Sequence, residues 1–292
     1  MKKIIVVAGP TCAGKTAMAL SLAKRKNGEI ISADSRQIYK YLDIGSNKEG
    51  KLKDRGVREI DGVLQHLTDI VLPDQSYSVA DFIKDADEKI EQIIDRQKVP
   101  IVCGGTGLYI KGLLYGLNEM PKADEKLREK LKRLSKAQLY ENLFKLDPQA
   151  AKSNFGNPQR LLRALEVNII SKKTMQEHFV KRDARYDFEI YNLCPDRKVL
   201  YEAINERCKK MIEGGMIEET QKILNMGYAK NCPALSAIGY QLIIEFLPYL
   251  SKSSAGVKTK KLQTLIDEFS KQTRRYAKRQ ITWFKTQCVK EK

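Results

Sequence analysis

Along the first 117 residues, short apolar runs alternate with stretches of helical periodicity. The runs at 3–8, 29–33, 65–71 and 99–103 are rich in Ile and Val, which predicts strands. Residues 15–25 predict a helix after the first run. Residues 79–97 predict another, with Val79, Ile83, Ala86, Ile90 and Ile93 three or four apart. Ser78 and Asp81 give that helix a capping-box start. Strand and helix in alternation predict an α/β fold, an open parallel sheet flanked by helices.

The pattern changes near Leu117. Residues 122–146 are rich in Lys, Glu and Leu without strand alternation and predict two helices. A further helix should start at Asn157-Pro158, a capping residue followed by proline at the first helical position. Residues 188–193 look like a returning strand, with helices from Arg197 onward and ends marked by Gly214-Gly215 and Gly227. These signals predict a core made of 1–117 and 189–292, interrupted by an all-helical domain over 118–188. No internal repeat is visible.

In the tail, Leu262, Ile266, Phe269, Tyr276 and Trp283 can share one helical face, while Lys271, Arg274, Arg275, Lys278 and Arg279 project largely from the others. Residues 251–292 hold twelve Lys or Arg against three acids, about half of a net charge of 53 − 36 = +17 over 292 residues. Two readings follow: a solvated amphipathic helix on the core, or a surface for a phosphate backbone. A charge of this size favours a polyanionic partner.

Other classes recede. No apolar run approaches the roughly 18–20 residues of a membrane span. The opening Lys2-Lys3 and Ile4-Ile5-Val6-Val7 run straight into Gly9, so they read as a first strand rather than a signal peptide. Six cysteines (12, 103, 194, 208, 232 and 288) show no C-x-x-C pair, and only His66 and His178 could join them, so no zinc site is predicted. Scattered thiols fit a reducing cytoplasm.

The candidate chemistry starts at Gly9-Pro10-Thr11-Cys12-Ala13-Gly14-Lys15-Thr16, which reads G-x-x-x-x-G-K-T between a predicted strand and a predicted helix. The glycines let the loop curl, backbone N–H groups and the helix N-terminus favour an anion, and Lys15 neutralises phosphate charge. Thr16 can offer a hydroxyl to Mg²⁺. The fold is therefore expected to be P-loop NTPase-like, with a phosphate or diphosphate as ligand. An ATPase usually carries an acidic metal partner after a hydrophobic strand well downstream. The best candidate, Asp34, follows Lys15 by only nineteen residues, at the end of the next strand and adjacent to the loop if the sheet is parallel. Asp34 is thus expected to face a second substrate. Gly104-Gly105-Thr106-Gly107 follows another strand and should bring Thr106 to the same edge.

The P-loop followed by Ser32-Ala33-Asp34-Ser35-Arg36-Gln37-Ile38-Tyr39 resembles the tRNA dimethylallyltransferase family. So do Asp43-Ile44-Gly45, Ser76-Tyr77-Ser78-Val79-Ala80-Asp81-Phe82 and Gly104-Gly105-Thr106-Gly107-Leu108-Tyr109. Asn157-Pro158-Gln159-Arg160-Leu161, Ala237-Ile238-Gly239-Tyr240 and Thr273-Arg274-Arg275-Tyr276-Ala277-Lys278-Arg279-Gln280 continue the match in order over nearly the whole chain. The resemblance implies transfer of a dimethylallyl group from dimethylallyl diphosphate to the exocyclic amine of the adenosine just 3′ of the anticodon. The tRNAs concerned would read codons that begin with U, and diphosphate would be released.

It also implies residue roles. Asp34 would be the base, with Thr106 and Lys15 in the catalytic site. Gly9, Pro10, Thr11, Cys12, Ala13, Gly14, Lys15, Thr16 and Arg207 would hold the diphosphate, with Mg²⁺ at Thr16. Contacts to tRNA would fall on Asp34, Ser35, Arg36, Gln37, Thr106 and Arg128. They continue through Gln159, Arg160, Leu161, Leu162 and Arg163 on one helix, then Ser236, Ala237, Ile238, Gly239, Tyr240 and Gln241. Arg160 and Arg163, three apart, would share a face, and the inserted helices would grip the anticodon stem-loop. The chain departs from the family at Cys12-Ala13, where Ala-Ser is usual, and at Ala203, where relatives often carry Arg. It lacks the C-terminal zinc finger of many eukaryotic relatives, so a bacterial-type enzyme is expected; the thiols already point to the cytoplasm, and a monomer is expected. An adenylate isopentenyltransferase acting on free AMP, ADP or ATP and a P-loop small-molecule kinase remain the alternatives.

Overall fold

The first strand, β1 (Lys3–Ala8), sends Ile5 and Val7 to one side of a sheet and Ile4, Val6 and Ala8 to the other, and all five are buried. A strand apolar on both faces needs cover on both. The computed structural model, which describes residues 1–180, 182–251 and 255–287, supplies that cover with helices. Helix α1 (Lys15–Lys26) buries Ala19, Leu22 and Ala23 against one side. After β2 (Gly28–Ser32) come three short strands, β3 (Lys51–Asp54), β4 (Val57–Ile60) and β5 (Val63–His66). Helix α2 (Val79–Asp95) covers the other side through Phe82, Ala86, Ile90 and Ile93, and both arms of its Ser78–Asp81 capping box are formed. The strand β6 (Val99–Gly104) and helix α3 (Gly107–Tyr115) follow.

Next come α4 (Glu125–Lys132), α5 (Lys136–Leu146), α6 (Pro148–Asn154) and α7 (Pro158–Ser171). Asn157 caps α7 by accepting from the Arg160 N–H at 3.1 Å, as the Asn-Pro signal predicts. The chain then forms β7 (Asp187–Asn192), α8 (Arg197–Met211), α9 (Ile217–Asn225), α10 (Tyr240–Ser251) and α11 (Ala255–Gln287). A kinked turn over Ile212–Met216, with Gly215 at φ 101°, joins α8 to α9. Residues Met1–Tyr115 with Ala184–Lys292 make one compact unit and Gly116–Asp183 a second.

Among the described residues the sheet has seven strands in the order β3-β4-β5-β2-β6-β1-β7. The five from β5 to β7 pair in parallel, whereas β3 and β4 pair antiparallel and extend one edge. The sheet is therefore mixed, not parallel throughout. The extension escapes pattern reading because Lys51–Asp54 is exposed along its length and polar at every position but Leu52. A second correction concerns neighbours: β6 lies between β1 and β2, so Asp34 follows a strand once removed from the P-loop.

Helices α8 to α11 and the turn between α8 and α9 pack with Ile38, Tyr39 and Leu42 into a further core that includes Ile204, Met216, Tyr240, Leu265 and Phe269. The buried stripe of α11 runs through Leu265, Phe269, Thr273, Ala277, Gln280 and Phe284. Tyr276 and Trp283 flank it, half-buried, rather than forming its centre. In the second unit, Leu131, Leu139, Leu143, Leu161 and Leu165 form a separate core. Among the described residues no helix is long and apolar enough to cross a membrane.

Candidate active site

The loop after β1 has the backbone that phosphate binding requires. Gly9 sits at φ 145°, and a Cβ there would lie 2.3 Å from the Leu193 carbonyl oxygen. Cys12 and Gly14 take φ 61° and 83°, so the loop folds back on itself. No side chain caps α1, which leaves its first N–H groups open to an anion. Lys15, Thr16 and Ala17 line a cavity of about 350 Å³ with Thr11, Asp34 and Arg207. The Lys15 Nζ donates to the Pro10 carbonyl at 2.6 Å. Burial lowers the Lys15 pKa from its ordinary value; Cys103 and Asp34 oppose that fall and Arg207 adds to it. Burial among these groups pushes the Cys103 thiol up to about 12, so it is not a nucleophile at neutral pH.

A second cavity, of about 400 Å³, adjoins the first and shares Thr11, Asp34, Ser46, Asn47 and Arg207 with it. Its remaining wall is aromatic and apolar in Tyr276, Phe269, Met211 and Ile238, and polar in Arg36, Ser236 and Arg279. Asp34 therefore faces both cavities. Its Oδ1 accepts from the Arg36 N–H at 2.8 Å, and its Oδ2 makes no hydrogen bond among the described residues. Arg207 donates through Nη2 to Thr11 Oγ1 at 2.5 Å, while its buried Nε has no partner among the described residues. A buried guanidinium donor without a partner is costly unless a ligand satisfies it.

Other expected residues line the cavities or support the segments that do. The Thr106 hydroxyl accepts from the Ser35 N–H at 3.0 Å and so holds the Asp34 loop, but Thr106 lines neither cavity. Arg36 donates to the Pro233 carbonyl and to Ser236 Oγ. Gln37 is consumed by Ser32, Gln65 and the carbonyls of Ser46 and Asn47. Ser236, Ala237 and Ile238 line the second cavity. Gly239 sits at φ 96° against Phe269, Tyr240 is fully buried, and Gln241 holds the carbonyls of Lys230 and Leu235.

In the second unit, Gln159 and Arg160 are exposed on α7 and Leu162 is half-buried. The Leu161 side chain is fully buried, so any contact it makes with RNA must come from its backbone. Arg163 does not stand free beside Arg160. It donates to Glu166 at 2.5 Å and to the Pro121 carbonyl, and Arg128 also grips Glu166, at 2.8 and 3.1 Å. Burial raises the Glu166 pKa, but bonds from Arg128, Arg163 and the Asp124 N–H outweigh it and hold the carboxyl below its usual range. Of the tail cations, Lys271 pairs with Glu268 and Arg274 with Asn205, while Arg279 lies over the Tyr276 ring. Cys288 lies outside the described residues.

Sequence reading missed the segment that closes both cavities. Gly45, Ser46 and Asn47 line the second cavity, and the start of this segment is held from behind by Glu219, which accepts from the N–H groups of Asp43, Ile44 and Gly45 at 2.7, 2.8 and 3.1 Å. The buried Tyr240 hydroxyl donates to the same carboxylate at 2.6 Å. Beneath it, the fully buried Lys48 side chain bonds Asp69, Asp43 and the Tyr39 carbonyl. Only Asp43-Ile44-Gly45 carried a motif; Glu219 and Lys48 look like surface charges in sequence.

Comparison with known proteins adds to this geometry. Residues 37–287 match the family model described as IPP transferase. The chain is 62% identical over 284 residues to a tRNA dimethylallyltransferase of Endomicrobium trichonymphae, covering 97% of this chain and 92% of that one. Among solved structures, the full-length tRNA isopentenylpyrophosphate transferase of Bacillus halodurans superposes with a TM-score of 0.68 at 36% identity, covering 98% of this chain and 88% of that one. A eukaryotic dimethylallyltransferase acting on tRNA gives a TM-score of 0.76 at 28% identity, covering 97% and 70% respectively.

Proposed function

The chain belongs to the IPP transferase family of tRNA dimethylallyltransferases, and from that premise we propose how its residues divide the reaction. The protein transfers a dimethylallyl group from dimethylallyl diphosphate to the exocyclic amine of the adenosine 3′ of the anticodon and releases diphosphate. The substrates are tRNAs reading codons that begin with U. The cavity walled by the P-loop takes the diphosphate, and the aromatic cavity beside it takes the adenine extruded from the anticodon loop. The observation that carries this assignment is Asp34, which borders both cavities with one carboxylate oxygen free.

In the transfer, the bond from the allylic carbon to the diphosphate oxygen breaks as the amine nitrogen bonds that carbon. Asp34 accepts the proton the amine sheds, a contribution of ~10²–10⁴-fold for a positioned base. Lys15, Arg207 and the open N–H groups at the start of α1 stabilise the charge growing on the leaving diphosphate. We assign Mg²⁺ to Thr16. Among the described residues no cluster of acidic, His or Cys side chains could cage a metal, and Thr16 offers a hard oxygen beside the diphosphate position. That suits an ion that binds chiefly through substrate phosphates and water, and when bound it would neutralise diphosphate charge. Gln159 and Arg160 are the exposed α7 contacts for the stem-loop. We place the enzyme in the cytoplasm, where its thiols at 12, 103, 194, 208 and 232 stay reduced.

The test incubates the protein with labelled dimethylallyl diphosphate and either an anticodon stem-loop RNA or AMP. Label enters RNA, and Asp34→Ala binds RNA but transfers at least about a hundredfold more slowly. Label in AMP alone would refute the acceptor assignment, and equal rates in both proteins would remove Asp34 from the mechanism.

A further inference from the structure

Gln280 lies in the buried stripe of α11, 6% exposed, and lines neither cavity. Its amide is nevertheless committed to the site's loops. Oε1 accepts from the Thr11 N–H at 2.9 Å, and Nε2 donates to the Gly105 carbonyl at 2.9 Å. The second glycine motif is built around this arrangement. A Cβ at Gly105 would lie 2.5 Å from Gln280 Nε2, and one at Gly107 would lie 2.2 Å from the Trp283 ring. A side chain 269 residues further along thus joins the P-loop to the loop that follows β6.

Thr11 is the residue this bond controls. Its N–H is held by Gln280, its hydroxyl accepts from Arg207, and it borders both cavities. Thr11 also gives up an amide that a P-loop could have offered to phosphate. The buried Arg207 Nε has no partner among the described residues, which leaves the guanidinium held by Thr11 with a donor that an anion would satisfy. We propose that Gln280 is a positioning residue for the donor: it fixes Thr11, and through Thr11 the Arg207 guanidinium, in the geometry that receives the diphosphate. The inference rests on the transfer reaction assigned above, but its effect on diphosphate binding does not.

Three variants separate positioning from bulk. Gln280→Met keeps the volume and forms neither bond. Gln280→Ala removes both. In Gln280→Glu, the carboxylate can accept from Thr11 but repels the Gly105 carbonyl, whereas the protonated acid can accept from one and donate to the other. Burial raises such a carboxyl's pKa, so the acid form should return as pH falls from about 8 to about 6.

Thermal melting first verifies that each variant is folded. Calorimetry with inorganic diphosphate, and kcat and KM for dimethylallyl diphosphate with stem-loop RNA, then read the effect. Losing two buried bonds should lower donor kcat/KM and diphosphate affinity severalfold, up to about thirtyfold, in Gln280→Met, with RNA affinity within about twofold of wild type. The deficit of Gln280→Glu, taken against wild type at each pH, should shrink on acidification. Unchanged diphosphate affinity in Gln280→Met would overturn the proposal. So would an equal loss of RNA affinity, or a Gln280→Glu deficit that does not vary with pH. A wild type that binds diphosphate but transfers no dimethylallyl group would defeat the assigned reaction alone, and the diphosphate affinities would still decide the role of Gln280.

Discussion

Replacing Glu219 by Ala tests whether the Asp43–Asn47 segment is held in place from behind. One carboxylate there accepts four hydrogen bonds, from the N–H groups of Asp43, Ile44 and Gly45 and from the Tyr240 hydroxyl. In the variant the exposed Asp43 amide can recruit water, the part-buried Ile44 and Gly45 amides can do so less freely, and the hydroxyl of fully buried Tyr240 cannot. Counting only that hydroxyl and one amide as uncompensated gives a loss of about 3 kcal/mol. For a chain of this size that is a fall of about 6–12 °C in Tm. Tyr240→Phe removes the stranded hydroxyl and leaves the three amides bonded, so it should cost only about 1 kcal/mol. The same loop supplies Gly45, Ser46 and Asn47 to the cavities, so Glu219→Ala should raise KM for both donor and stem-loop RNA several-fold. Calorimetric melting and steady-state label transfer read the two effects. A stability loss below about 1 kcal/mol, or a destabilised variant with both KM values unchanged, would refute the reasoning.

Three further perturbations address other parts of the molecule. A Cβ on Gly104 would lie 2.1 Å from the Ala33 carbonyl oxygen, so Gly104→Ala should cost about 3 kcal/mol or more, whereas Gly214→Ala, with open space around it, should be near neutral; parallel melts compare them. Glu29 is 1% exposed; burial raises its pKa, but bonds from Arg96, Lys98 and His66 win and hold it at about 2, against an ordinary 4.5. A depressed carboxyl stabilises the fold above its unfolded pKa, so the roughly 2–3 kcal/mol that separates wild type from Glu29→Gln at pH 7 should vanish as pH falls from 4.5 through about 2, measured by urea midpoints. Tyr276 lines the second cavity but not the first, so on the assignment proposed above Tyr276→Ala should weaken stem-loop use about tenfold and leave diphosphate affinity unchanged, by kinetics and calorimetry.

The parts of the protein legible in sequence are those where one short stretch dictates its own environment. β1 is apolar on both faces and could only be a central strand. Ser78 and Asp81 close a capping box that requires nothing beyond their own helix. The P-loop carries its strand, its turn and its helix start within fourteen residues, Lys3 to Thr16. What sequence could not show is where distant chain supplies the partner. Lys48 reads as solvent-facing until Asp43 and Asp69 are folded around it. Arg163 reads as a free clamp until Glu166 and Pro121 claim it.

The glycines of the second loop make this physical point most sharply. In sequence Gly104-Gly105-Thr106-Gly107 is a permissive turn, and flexibility is the only property it can advertise. In the fold each glycine is small for a different neighbour: Gly104 for the Ala33 carbonyl, Gly105 for Gln280 and Gly107 for Trp283. The neighbour at Gly104 leads into Asp34, and the one at Gly105 reaches Thr11. Thr106 then fixes Ser35 from the same turn. The loop is therefore a close-packed joint between the Asp34 loop, the loop over 9–16 and α11. Its requirement for glycine comes from three separate parts of the chain, which is why local pattern alone reads it as a turn and the fold reads it as the frame of the site.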